Sequence, residues 1–397
     1  MTSFPTAAVR AGFTHFLSQQ GTLLHCTAHS HHPWPDCTRA AQLQAWDDAA
    51  RLTDAKWGPV LGEVLPEAQA HIARELNLSA PQQVTFAPNT HEFVVRLYSC
   101  LDWSRPVKVL TTAHEFHSFN RQTRRLEETG RLQVTRIDAA PHSSFAERFA
   151  QAAAQGDWDM VWLSQVLFDS GLVVRDLARI VAALPRDALA LVDGYHSFMA
   201  MPVDWQPFEQ RVFYVAGGYK YAMAGEGACF LVVPQGCTLR PLSTGWYADF
   251  AGLANPQGTV GYAGDGARFF GATFDPSGLY RFNAVQRWLQ SIGLDSAQIH
   301  AHVRGLQQRF LQSLDACTAG TPVAALRAAA LVVADGAARG NFLTFDLPQA
   351  EAVEHTLQAH GVRTDRRGTR LRFGFGLYHD ERFVDALLAR LAGMRAA

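Results

Sequence analysis

The chain has no run of roughly eighteen uninterrupted apolar residues, so no helix is expected to cross a bilayer. Its first residues, MTSFPTAAVRAGF, lack a basic segment followed by an apolar one, so no secretory leader is expected and the compartment is read as cytoplasmic. Cysteine is sparse. The six residues Cys26, Cys37, Cys100, Cys229, Cys237 and Cys317 are scattered without a CxxC pair, which argues for reduced, mostly buried thiols. Charge is scarce too: charged residues make up 18% of the chain and the net charge is -1, so no footprint for nucleic acid or an anionic membrane exists. A small-molecule substrate is expected instead. A GxGxxG turn opening a helix is also missing. The glycine-rich GGYKYAMAGEGACF (217–230) leads into a strand, which argues against a nicotinamide dehydrogenase. There are no internal repeats or low-complexity tracts.

What remains is 397 residues, 48% of them hydrophobic, enough for a large core. Helical patterns are expected at 39–56, 60–77, about 91–101, 119–129 and 174–184. Strand-like runs lie at 84–87, 107–112, 132–137, 160–164 and 189–193, extended by 211–218 and 228–234. MVWLS (160–164) and LALVD (189–193) are nearly continuous apolar runs, as strands buried on both faces of a parallel sheet require. Strands alternating with helices imply a mostly parallel α/β sheet with right-handed crossovers. After about Pro276 the pattern changes to helices near 281–293 and 296–315. The strands 342–347 and 370–375 follow, with helices at 349–360 and 380–394, and the Ala-rich stretch near 324–338 reads as ordinary helix or strand. The expected division is an N-terminal arm and helix (1–55), a large domain (56–275) and a smaller α+β C-terminal domain (276–397).

Two residues carry the chemistry. Asp193 closes the apolar strand 189–193, and in open α/β sheets ligand groups gather at the carboxyl ends of strands. Lys220 comes 27 residues later, behind another strand and two glycines that let backbone approach a bulky ring. A lone Asp there is usually a cap, and a lone Lys is usually solvated. The ordered pair suits pyridoxal 5′-phosphate (PLP): the amine forms a Schiff base, and the carboxylate keeps the pyridine nitrogen protonated so that the ring can take up electrons.

The chain resembles the fold-type I PLP enzymes of the class V aminotransferase superfamily, and within it kynureninase most of all. The resemblance runs from about residue 20 to 394. Its carriers are FAPNTHEFVVRL (86–97), EFHSFNRQ (115–122), LSQVLFDSGLVVRDL (163–177), DGYHSFMAMPVDW (193–205), GGYKYAMAGEGACFLVVP (217–234), GWYADF (245–250) and GVRTDRRGTRLRFGFGLYH (361–379). It implies the aspartate aminotransferase-like PLP-dependent transferase fold, a mostly parallel central sheet with helices on both faces plus a smaller α+β C-terminal domain. It also implies Lys220, Asp193 and His196 as catalytic residues, His196 lying near the ring hydroxyl. Asn89 and Thr90 stand at the strand-to-helix turn that presents donors to the phosphate, where a helix N-terminus favours an anion. Phe116 matches the aromatic on the pyridine face, with His117 as its rival. Gln165 matches a polar contact to the cofactor hydroxyl or substrate. Tyr219 and Trp246 match phosphate-side groups, and Thr273 one that reaches the partner's phosphate in a homodimer with its site at the interface. Arg372 matches the arginine that clamps the substrate α-carboxylate, with Arg363 and Arg366 as less specific neighbours.

Some positions depart from that pattern. Phe119 stands where kynureninases carry an acidic residue, and Asp249 where they carry a histidine. Cysteine desulfurases place a nucleophilic cysteine after an R-T-like motif, and RTDRRGTRLRFG has none. The segment HCTAHSHHPWPD (25–36) clusters histidines, but no second ligand group stands at zinc spacing, so no metal is expected. The resemblance implies instead that this arm lies by the substrate pocket, with His31 and Trp34, and also His29 and His32, as substrate contacts. The expected function is therefore PLP-dependent chemistry on an amino acid, joined to the cofactor as an imine. Transamination or lyase chemistry ranks first, kynureninase-type Cβ–Cγ hydrolysis second, and a non-catalytic protein on the same fold last.

Overall fold

The computed structural model describes residues 4–254 and 258–394. Seven strands form the central sheet: β1 Val84–Ala87, β2 Val107–Thr112, β3 Leu132–Ile137, β4 Met160–Ser164, β5 Leu189–Asp193, β6 Phe213–Gly217 and β7 Cys229–Val232. Their order is β1-β7-β6-β5-β4-β2-β3. From β3 to β6 every neighbouring pair is parallel, while β7 runs antiparallel to both β6 and β1. Every residue of β4, β5 and β6 is buried, which is why those strands read as unbroken apolar runs. Because β4, β5 and β6 are parallel, their carboxyl ends stand side by side, with Ser164 opposite Asp193 and Asp193 opposite Val215.

Two local expectations fail. Of 174–184 only Leu177–Ala182 is helical. Gly171 takes φ +76°, and the chain folds back so that Val166 bridges Val173 and the Val174 amide donates to Gln165 O at 2.8 Å. These backbone pairings occupy the residues that a longer helix would use. The Ala-rich stretch is not a regular element. Short 3-10 turns at Ala328–Ala330 and Gly336–Ala338 flank a bridge from Leu331 to Phe345, so pairing with the neighbouring strand overrides alanine's helix propensity.

Towards the C-terminus, strands Phe342–Asp346, Asp365–Arg367 and Arg370–Gly374 form a separate antiparallel sheet with Arg370–Gly374 in the middle. Helix Ser296–Thr318, started by a reciprocal capping box between Asp295 and Gln298, packs against helix Glu381–Ala392. The N-terminal arm is tied to this region: Leu24–His25 pairs in parallel with Val362–Arg363, and Thr27 bridges Gly374. Helix Ser277–Ser291 lies along Cys37–Leu52 and also contacts Leu65–Leu76. No helix among the described residues is long and apolar enough to cross a membrane.

Candidate active site

Asp193 ends β5, and the turn after it carries Tyr195 and His196. One carboxylate oxygen accepts the Tyr195 amide at 2.9 Å. Lys220 follows β6 in the next loop, and both charged groups are buried. The close approach depends on glycine: a Cβ on Gly217 would sit 2.2 Å from the Tyr195 hydroxyl. Lys220 Nζ lies 2.5 Å from His196 Nε2. Around the amine are the rings of Phe116, 5.2 Å from its centroid, and of Tyr195 and Tyr219, each at 5.7 Å.

Burial makes Lys220 hold its proton less tightly than an ordinary lysine, and Asp193 opposes that shift. Burial also raises Asp193, against the pull of the Tyr195 amide and Lys220. His196 is pushed well below the usual histidine range by burial first, then by the charges of Lys220 and Arg372. Its Nδ1 and the Tyr221 hydroxyl are buried without a hydrogen-bond partner.

Other expected residues gather nearby. Asn89 caps helix Thr90–Tyr98 by accepting the Glu92 amide at 3.3 Å, and Thr90 is buried in the first turn. Gln165, just past β4, donates its backbone amide to Asp193 O at 2.8 Å and accepts the Ser197 hydroxyl at 2.5 Å. Arg372 is buried, with its guanidinium carbon 5.7 Å from the Phe342 ring. It donates to the Asp365 carboxylate and to Phe168 O, while its Nε has no partner. His31 stacks on Tyr219 at 5.1 Å, and Trp34 lies under the Arg281 guanidinium at 4.9 Å.

The remaining residues divide between the amine and other surroundings. Phe116, not His117, faces the amine; His117 is exposed and packs on Phe168. Trp246 and Thr273 are exposed, and Trp246 stacks on Tyr247 at 4.1 Å, so neither joins the Lys220 cluster within one chain. His32 belongs to the core, its Nδ1 3.0 Å from Pro33 O and its ring beside Phe13 and Tyr378. His29 is the arm histidine that reaches inward. It is fully buried, stacked on Phe342 at 4.8 Å and 3.7 Å from Asp365, with both ring nitrogens outside hydrogen-bond reach of any partner. Arg366 is held by Glu354 at 2.9 Å and Glu351 at 3.4 Å, and Arg363 is exposed on its two-residue strand. Phe119 stacks on Trp162 at 4.3 Å inside the core, and Asp249 accepts the Gly252 amide at 3.2 Å.

Two carboxylates join the site without a motif to announce them. Asp365 neutralises Arg372. Glu115 is buried and accepts the Thr112 hydroxyl at 2.6 Å, the Ser164 hydroxyl at 2.6 Å and the Ser164 amide at 3.1 Å. Burial raises Glu115 to about 7; the hydrogen bonds from Ser164 and Thr112 pull the other way, and Asp193 adds to the rise. Its one sequence signal is its place directly before Phe116.

The donor set suits a phosphorylated pyridine aldehyde. It offers a buried amine of weakened basicity, a carboxylate at the next strand end, an aromatic face, a capped helix N-terminus and an unpartnered imidazole nitrogen. A family model described as "Aminotransferase class-V" matches residues 58–387. No curated protein matches the sequence. Among solved structures, the cystine C-S lyase C-DES in complex with its reaction product cysteine persulfide is 19% identical, covers 94% of this chain and 98% of its own, and has a TM-score of 0.78. A C-DES mutant with glycine covalently linked to the PLP cofactor is 19% identical, with 96% and 99% covered and a TM-score of 0.79. The cysteine desulfurase CsdA from Escherichia coli is 16% identical, with 98% of each chain covered and a TM-score of 0.76. At these identities the likeness shows the fold alone.

Proposed function

Because the chain belongs to the class V aminotransferase family, whose chemistry rests on PLP, we propose that it removes the α-proton of a small amino acid and expels a substituent from Cβ. The observation that carries this reading is the Lys220–His196 pair, an amine and an imidazole nitrogen 2.5 Å apart in a buried site. Elimination needs a base at Cα and an acid for the group leaving Cβ, and an amine steadied by a neutral imidazole can serve as the first and then, protonated, as the second.

Lys220 would hold PLP through Nζ, Asp193 would pair with its ring nitrogen, and Phe116 would cover its face. Thr90 and the N-terminus of its helix would receive the phosphate, and His196 would stand by the ring hydroxyl. Bound PLP supplies an electron sink for negative charge at the substrate Cα. Lys220, once the substrate amine has taken its place on the cofactor, is kept unprotonated by burial and can take the α-proton and return it to the group leaving Cβ, while the neutral His196 imidazole accepts a hydrogen bond from the amine. Arg372 directs its unpartnered Nε to the substrate carboxylate, with its other donors fixed by Asp365 and Phe168 O. The exposed Trp246 and Thr273 complete the site of a second copy in a homodimer, and His31 and Trp34 border the substrate from the arm.

A persulfide route through a protein thiol has little support. Burial raises the thiols of Cys26, Cys37, Cys100, Cys229 and Cys237, away from the thiolate form that such a route uses. Kynurenine hydrolysis loses support from Phe119, which is buried against Trp162 where that chemistry calls for an acid. The deciding experiment incubates PLP-loaded protein with cysteine, cystine, O-acetylserine and kynurenine, with and without 2-oxoglutarate. Keto acid and ammonia released without added 2-oxoglutarate support elimination. Product formed only with 2-oxoglutarate makes the enzyme a transaminase, and anthranilate from kynurenine makes it a kynureninase.

A further inference from the structure

We propose that Glu115 is a positioning residue, which sets the Phe116 ring against the cofactor face by bolting its turn to the end of β4. The inference rests on the reading that Phe116 covers bound PLP.

Glu115 lies in the short turn between β2 and helix His117–Glu128, one residue before Phe116. The Ala113 amide of that turn donates to Ile137 O at 3.1 Å and the His114 amide to the Thr112 hydroxyl at 3.0 Å, while the His114 imidazole lies 2.7 Å from Asp169 and 3.4 Å from Asp138. The Glu115 side chain supplies the link to the β4 strand itself, spanning 49 residues of sequence to take both the amide and the hydroxyl of Ser164. Ser164 is the last residue of β4 and pairs in register with Asp193. The next residue, Gln165, donates its amide to Asp193 O. One carboxylate thus joins the aromatic turn to the strand ends that bear Gln165 and Asp193.

The chemistry of the contacts gives the side chain its specificity. All three partner groups donate: two hydroxyls and one amide. A carboxylate can accept all three at once, whereas a shorter or apolar side chain leaves the Ser164 amide without a buried acceptor. No arginine, lysine or histidine pairs with Glu115 among the described residues, so hydrogen bonds alone hold it. Phe116 itself packs edge-on against Phe168 at 5.5 Å, and Phe168 O accepts from Arg372. A slip of the Glu115 turn therefore tilts the ring that lies 5.2 Å from Lys220 Nζ.

The test is a double-mutant cycle on PLP affinity, measured by titrating purified apoprotein with PLP. It is paired with the visible circular dichroism of the bound cofactor, which reports its orientation. Glu115→Ala and Phe116→Ala should each weaken PLP binding by roughly two- to tenfold, the range of one aromatic contact, and the double mutant should be no weaker than Phe116→Ala alone. Glu115→Gln should restore affinity and the dichroic band, because its oxygen accepts from Thr112 and the Ser164 amide while the Ser164 hydroxyl turns to accept from its nitrogen. Losses that add in the double mutant, or a dichroic band unmoved in Glu115→Ala, overturn the inference. Should Glu115→Ala fail to fold, the cycle run with Glu115→Asp, whose shorter arm cannot reach both partners, separates the same two outcomes. A wild-type protein that binds no PLP defeats the functional reading instead.

Discussion

Lys220 Nζ and His196 Nε2 stand 2.5 Å apart, and this is the amine's one hydrogen-bond contact among the described residues. Burial lowers the proton affinity of both groups; Asp193 opposes it at Lys220, and the Lys220 charge adds to it at His196. The amine is thereby available as a nucleophile and as a base well below the pH at which an ordinary lysine would be.

Replacing Lys220 with alanine should abolish the borohydride-sensitive absorbance of bound PLP and lower kcat by roughly 10²–10⁴-fold, the usual worth of a positioned base. His196→Gln keeps a hydrogen-bonding neighbour and should cost less. Absorbance spectra and steady-state rates check both. A fully coloured Lys220→Ala protein that still turned over would remove the basis of the proposed function.

Arg372 and Asp365 form an ion pair whose side chains are only 3% and 10% exposed. Removing Arg372 leaves Asp365 with Arg367, 2.8 Å away and partly exposed, as its remaining partner. In urea unfolding, Arg372→Ala should therefore destabilise the fold by less than about 3–5 kcal/mol, the cost of a fully orphaned buried charge, as well as raising KM. Arg372→Lys keeps the charge but not the planar fork, and should raise KM with a smaller loss of stability. An unchanged KM in both variants would take Arg372 out of substrate binding.

Glu115 gives a pH signature to the apoprotein. Its folded-state pKa of about 7 lies above the ordinary 4.5, so between these values the folded state binds more protons than the unfolded chain. Stability from this group is present below about 4.5 and is lost as pH rises through about 7. Glu115→Gln should flatten that decline, by an amount on the order of a few kcal/mol across the window. Urea midpoints taken at half-unit steps check it, and parallel curves for wild type and variant would refute it.

The thiols should be dispensable. Burial lifts Cys37 to about 11 and both Cys100 and Cys229 to about 12, so at neutral pH none of the three is a ready nucleophile. Changing each of the six cysteines in turn to alanine or serine should leave kcat within about threefold. A single variant that lost sulfur-releasing activity while keeping its PLP would restore a persulfide mechanism.

The amino-acid order alone was enough to locate most of the central sheet. Strands buried on both faces must be almost wholly apolar, and runs such as MVWLS and LALVD have few other uses. It was enough, too, to place Asp193 at the end of one strand and Lys220 in the loop after the next, because where a strand stops is a local property. Helix 65–76 also ended where expected, at Asn77 in the left-handed conformation.

Tertiary structure decided everything that depends on a partner distant in sequence. Glu115 finds Ser164, His29 finds Asp365 and Phe342, and His32, three residues from His29, turns instead into the core. Residues 173–174 and the Ala-rich 324–338 leave their local preference for backbone pairing with other segments. Periodicity and turn chemistry act over a few residues. A buried carboxylate or imidazole, by contrast, acquires its role from whichever group the fold sets against it, and a linear pattern holds no record of that pairing.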